Sequence, residues 1–278
     1  MSRRIFDTFL YYDEDMLLKI RLEYLYKYID FFFIIECDHD FNFNKKKFNF
    51  NIENFLEYKD KIIYIKYKVK NIKNKNDWSL HDEIRDKLYR KMRGYTRKDD
   101  LIIHGDLDEF PNIKYFNFLK NISKNDNKIY CLSLKNFFFK FNLLDDNHCT
   151  LKTKVTLFKN IKSFSHLRDL KGKEYKCWRI DNYFKKKRTN KIKILKHGGW
   201  HFTWIKSNKD IIKKFKSVIE FKNKKTITED YINNKINQRQ NFIHEIYGFK
   251  SSLKLVDIKL DFPKNLSNII KNYIEYIE

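Results

Sequence analysis

Alanine is absent from the 278 residues, and the sequence has only 2 prolines, 6 glycines and 4 cysteines. So little proline and glycine excludes a collagen-like chain or a flexible low-complexity linker. Cys37, Cys131, Cys149 and Cys177 lie far apart with no Cys-x-x-Cys pair. That spacing suggests neither a zinc-finger pattern nor a disulfide framework, and it favours reduced thiols in a cytosol-like compartment. The opening Met-Ser-Arg-Arg-Ile-Phe-Asp lacks the apolar segment of a signal peptide. Apolar runs such as Phe31 to Ile35 fall well short of the roughly 20 residues a bilayer span needs. The expected location is cytoplasmic.

Hydrophobic residues make up 42% and aromatics 17%, enough for a sizeable core, and the length suits one large α/β domain. Lys, Asn, Ile, Phe and Tyr abound. Their codons are A/T-rich, whereas those of the scarce Ala, Gly and Pro are G/C-rich, so the composition partly reflects an A/T-rich genome. The formal net charge of +23 is read in that light. Its lysines run along the whole chain, densest at Lys185 to Arg188, instead of forming a nucleic-acid-binding cluster. The surplus still attracts anionic partners such as nucleotide sugars, acidic glycans or a lipid surface. There is no internal repeat.

The most informative stretch is Asp99 to Pro111. Leu101, Ile102 and Ile103 form an apolar run without alternation, the mark of a strand buried on both faces. Gly105 breaks it, Asp106, Asp108 and Glu109 follow, and Pro111 is expected to end the ladder. These acids lie at the strand's carboxyl end, where open α/β sheets form their ligand crevice. In an extended segment Asp106 and Asp108 share a side. A hard cation, Mn²⁺ or Mg²⁺, would relieve their repulsion and hold a substrate's phosphates. A bare Asp-x-Asp is more often a solvated turn, but the buried strand, the third acid and the proline argue for a site.

In chain order, Arg4 to Leu10 reads as a strand and Met16 to Tyr28 as a helix. Phe31 to Ile35 is a strand with Glu36 at its end, Lys61 to Lys68 a strand, and Trp78 to Met92 a helix with Arg85 on its shoulder. Alternation of this kind predicts an α/β fold with a mostly parallel central sheet. Lys128 to Phe141 and Thr153 to Lys159 add strands. Lys196-His-Gly-Gly-Trp-His-Phe-Thr-Trp204 offers a glycine turn or close backbone approach, with His197 and His201 as ligand or proton-transfer candidates. From Ser207 onward the chain is helical: Asp210 to Phe221, Thr228 to Ile246 and Leu266 to Ile277, with Ser207 and Thr228 as caps. The expected organisation is a core over 1–206 with a helical extension, 207–278, packed on the same domain.

Several blocks occur in the order found in a known family. They are Phe6-Asp7-Thr8-Phe9-Leu10 with Glu14 and Ile20-Arg21-Leu22; Ile35-Glu36 with His39, Phe41 and Lys46; Trp78 with Arg85-Asp86; Asp100 to Pro111; and Gly199-Trp200-His201-Phe202. Together they resemble glycosyltransferase family 17, the β-1,4-mannosyl-glycoprotein β-1,4-N-acetylglucosaminyltransferases. His81 stands where that family tends to carry Glu, and Glu220 about where it has a His, which bears on acceptor handling. Lys162-Ser-Phe-Ser-His166 looks like the missing segment but precedes the Trp-His block, and the likeness is read as chance.

The resemblance implies a GT-A-like Rossmann-type fold. It also implies inverting transfer of a sugar, N-acetylglucosamine from UDP-N-acetylglucosamine, to a hydroxyl of a glycan acceptor. By the same resemblance Asp108 holds the metal, Asp106 the ribose or the metal shell, and His201 completes the metal or pyrophosphate contacts. Asp7, with its neighbour Thr8, and Glu36 face the nucleoside, Arg85 meets phosphate or braces the loop, and Trp200 stacks on a sugar. The base that inversion requires is not identified; the candidates are Glu109, Asp181 and Glu220. Two rival readings stay open. A metal-dependent phosphatase of the haloacid-dehalogenase type also uses Asp-x-Asp, although Glu109-Phe110-Pro111 replaces its usual turn, and a basic nucleic-acid-binding protein would need clustered cations.

Overall fold

Four apolar runs near the N-terminus, Ile5–Leu10 (β1), Phe31–Cys37 (β2), Ile62–Tyr67 (β3) and Leu101–His104 (β4), pair in parallel in the order β3-β2-β1-β4. The structure is a computed structural model and describes residues 3–40, 42–69, 78–175, 187–217, 227–246, 248 and 251–278. Period-two alternation sorts these strands between two cores. Ile5, Phe9, Phe32, Ile34, Leu101 and Ile103 face helix α1 (Asp15–Leu25). Phe6, Phe33, Ile35 and Ile102 face α2 (Ser79–Met92) and α4 (Phe164–Asp169) on the other side. Helices on both faces of a parallel sheet explain why the strands read as unbroken apolar runs. Between α2 and α4 in the chain lies the short α3 (Phe116–Lys120).

Beyond β4 the pairing turns antiparallel. Strand β8 (Lys154–Leu157) joins β4 to β6 (Ile129–Phe138), β6 pairs with β7 (Leu143–Thr150), and β10 (Lys254–Leu255) lies outside β7. The long β9 (Ile192–Thr203) runs parallel to β6 and antiparallel to the short β5 (Glu109–Pro111). The molecule is thus the expected mixed α/β fold, a central sheet flanked by helices with a helical C-terminal portion.

Pro111 takes the last position of β5, opposite Gly199, so the ladder ends there as expected, and its missing N–H is tolerated. The Gly198-Gly199 pair makes no tight turn: it lies within β9, and a Cβ on Gly199 would sit 1.9 Å from the Phe110 carbonyl oxygen. Close backbone approach is what this glycine permits.

Helices α5 (Asn208–Ser217), α6 (Glu229–Asn237) and α7 (Phe242–Ile246) pack around Phe138, Phe139, Leu143 and Trp204. The single helix expected over Thr228 to Ile246 is broken near Arg239, whose φ of 53° is left-handed, and Gln240 there bridges to Ser252. Thr228 caps α6 as anticipated, its hydroxyl accepting from the Tyr231 N–H at 3.2 Å. After α8 (Ile258–Asp261), α9 (Lys264–Ile270) buries Leu266, Ile269 and Ile270 in the core that contains α1. No described helix is long and apolar enough to cross a membrane.

Candidate active site

A cavity of about 650 Å³ opens at the carboxyl ends of β1, β2 and β4. Its walls include Leu10, Ile35 and Cys37 from the strands, Trp78, His81 and Arg85 from the start of α2, and Asp106 and Asp108 from the turn after β4. This is the crevice position expected of an open α/β sheet. Lys46, Lys152, Arg168, Lys187 and Lys214 also line it, together with Glu14, Asp82 and Asp169, so paired basic and acidic side chains surround the two aspartates.

The Asp-x-Asp turn is held from beneath by arginines. Arg21 on α1 is fully buried, and its guanidinium donates to both Asp7 carboxylate oxygens at 2.7 Å. Its remaining nitrogen donates to the backbone carbonyls of Leu107 at 3.0 Å and Glu109 at 2.7 Å. Arg168 on α4 donates to Glu109 at 2.6 and 2.8 Å and to Asp106 at 2.5 Å. Arg85 reaches the other Asp106 oxygen at 3.0 Å. Burial alone would raise the Asp106 and Glu109 pKa values, but Arg168, joined at Asp106 by Arg85, holds both carboxyls below their ordinary range. Helix α4 is itself tied down: Ser165 donates through backbone and hydroxyl to Asp86, both at 2.9 Å.

Several expected site residues lie elsewhere. Asp7 is spent on Arg21 and does not face the cavity, and Thr8 is buried against His104 and the Ile103 carbonyl. Glu36 is likewise buried, accepting from Asn49 N at 2.7 Å, Phe50 N at 3.1 Å, the Tyr64 hydroxyl at 2.6 Å and Lys46. It anchors the loop that carries Lys46, while its neighbours Ile35 and Cys37 line the cavity. Trp200 packs in the core edge-on to Tyr24 and Phe262 and donates to the Asp261 carbonyl at 3.2 Å. The indole at the cavity is Trp78, 53% exposed.

Glu109, a candidate base, is 1% exposed and saturated by Arg168 and Thr153. Gly105 is essential to that packing, because a Cβ there would fall 2.7 Å from Thr153 Oγ1 and 2.9 Å from Glu109 Oε2. Asp181 and Glu220, the other base candidates, lie outside the described residues, as do Phe41 and Cys177. His197 is exposed on β9, with its carbonyl accepting from Asn112.

His201 and Asp108 do come together, His201 Nε2 lying 3.6 Å from Asp108 Oδ2. The far side of the imidazole rests on Thr150 Oγ1 at 3.1 Å and Asn136 Oδ1 at 3.3 Å. Burial opposes its protonation, yet Asp108, backed by Glu109 and Asp106, raises its pKa above the ordinary value. An imidazole and a carboxylate this far apart fit neighbouring positions around one divalent ion. Asp106 fits less well, since both of its oxygens are engaged by arginines.

Arg168 is not among the residues that motif and spacing single out, although the Lys162-Ser-Phe-Ser-His166 segment leads into its helix, α4. Neither is a second bracket at the rim, where Glu14 lies 3.5 Å from Lys206 and 3.7 Å from Lys214. Burial would raise the Glu14 pKa, but these lysines bring it down to about 2.

A family model described as glycosyltransferase family 17 matches residues 1–259. No curated protein matches the chain. Among solved structures, the crystal structure of 4-diphosphocytidyl-2C-methyl-D-erythritolsynthase from Anaerococcus prevotii DSM 20548 is similar at 14% identity and a TM-score of 0.38, over 76% of this chain and 93% of that one. With the family match running through both acidic turn and Trp-His strand, this chain belongs to glycosyltransferase family 17.

Proposed function

We propose that this glycosyltransferase is metal-dependent and inverting, moving N-acetylglucosamine from UDP-N-acetylglucosamine to a hydroxyl of a glycan acceptor. The observation that carries the reading is the Asp108–His201 pair, with 3.6 Å between Oδ2 and Nε2 and with Asp108 on the wall of the cavity. Mn²⁺ or Mg²⁺ held there would act as a Lewis acid, neutralising the charge that builds on the diphosphate leaving group. Arg85 and Arg168, already paired to Asp106, supply fixed positive charge to the same phosphates. Trp78 offers a flat apolar face for a base or a sugar ring.

Glu109 makes a poor base, being ionised and fully bonded. Asp82, on the cavity wall in the first turn of α2, suits the role better. Burial raises its pKa against the pull of Arg85, and Asp169 and Asp86 add to the rise. The phosphatase alternative needs the first aspartate of the turn as a free nucleophile, whereas both Asp106 oxygens are engaged.

A thermal-shift panel of UDP-, GDP- and CMP-sugars with Mn²⁺ tests the donor. UDP-N-acetylglucosamine should raise the melting temperature most, and only with the metal present. Equal shifts for all three nucleotides, or none, would remove the donor assignment.

A further inference from the structure

We propose that Asp145, His148 and His244 form a second metal site, with no ligand in common with the Asp108–His201 pair, for a divalent cation of the zinc class that fastens α7 to β7. Asp145 is 1% exposed, and its Oδ2 lies 3.3 Å from His148 Nδ1 and 3.2 Å from His244 Nδ1. A tetrahedral ion with bonds of about 2.0–2.1 Å sets its ligand atoms about 3.3–3.4 Å apart, and both measured separations match that edge. All three ligand atoms lie within 4.8 Å of one another.

The backbone builds this grouping. The β6–β7 ladder slips between Lys135 and Asn136: Asn136 faces Asp145 while Lys135 faces Cys149. The extra residues of β7 bow out and bring His148 back beside the carboxylate. His244 arrives from α7, far along the chain, and its ring stands edge-on to His148 at 5.0 Å.

Two features point to a ligand and not to an ordinary ion pair. The His244 Nδ1 is out of solvent and makes no hydrogen bond of acceptable geometry, although Asp145 is 3.2 Å away. Among the described residues no lysine or arginine pairs with Asp145; its carboxylate faces these two histidines and accepts from the Asn147 N–H at 3.1 Å. Two imidazoles and one carboxylate select zinc-class ions over Mg²⁺ or Ca²⁺. His148 and His244 face a cavity of about 400 Å³, which His201 also lines and which leaves room for a water as fourth ligand.

The test uses the full chain, stripped with chelator and titrated with Zn²⁺, with bound metal measured by elemental analysis and Co²⁺ as a visible-absorption probe. The wild-type protein should bind Zn²⁺, give the intense visible bands of low-coordinate Co²⁺, and gain melting temperature. His148→Ala and His244→Ala should each weaken binding by more than the about 10–100-fold cost of losing an outer-shell partner. Asp108→Ala should keep this Zn²⁺, which separates the site from the proposed catalytic ion. Wild-type protein that takes up no Zn²⁺ and shows no Co²⁺ bands overturns the proposal, as does unchanged affinity in both histidine variants. The half-exposed His148 is the variant least able to perturb folding, and the Co²⁺ spectrum of Asp108→Ala, which lacks a ligand of the proposed catalytic ion, reads this site alone: bands that persist there support the proposal and their loss overturns it.

Discussion

Arg168 and Glu109 meet inside the protein as a two-pronged ion pair, with N–H···O distances of 2.6 and 2.8 Å. The same guanidinium also reaches Asp106, so α4, β5 and the acidic turn are joined at one point. Lysine has neither the fork nor the reach for three contacts. Arg168→Lys should therefore lose most activity, and Arg168→Ala should destabilise the fold by about 3–5 kcal/mol by leaving Glu109 buried and unpaired. Urea denaturation of both variants checks this, and wild-type stability in Arg168→Ala would refute it.

The rim bracket at Glu14 predicts an acid-sensitive contribution to stability. Its folded pKa of about 2 lies below the ordinary 4.5, so the unfolded chain binds the proton more readily. The contribution is full above about pH 4.5 and fades as pH falls toward 2, on the order of 3 kcal/mol in all. Asp106 and Glu109 shift in the same direction, so what their ion pairs contribute is also lost in acid. Glu14→Gln should flatten part of the acid limb in a stability–pH curve and leave the curve above pH 6 parallel to wild type.

Asp82 supplies a test of proton transfer. If it receives the acceptor's proton, Asp82→Asn should lower kcat by about 10²-fold or more while UDP affinity stays near wild type. A wild-type pH–rate profile in Asp82→Asn would move the base to the segments that carry Asp181 and Glu220.

The parallel half of the fold was legible because β1, β2 and β4 are buried on both faces and so read as apolar runs. The Asp-x-Asp turn was legible for the same reason: a buried strand ended abruptly in acids. What sequence could not supply was the side to which each polar residue turned. Asp7 looked like a crevice acid, yet it sits in mid-strand and faces α1, where Arg21 waits. Glu36 and Trp200 fail by one step of alternation. Ile35 and Cys37 line the cavity while Glu36 points away, and His201 turns toward Asp108 while Trp200 enters the core. Arg168 stayed hidden because a helix of six residues has too few turns to show periodicity.

Release of UDP from UDP-N-acetylglucosamine, measured with Mn²⁺ in wild type and in Asp108→Ala, tests the central claim most directly. The account predicts slow release that EDTA or the substitution reduces at least about 10²-fold, with the variant still folded. Release that continues unchanged in EDTA and in Asp108→Ala would contradict it.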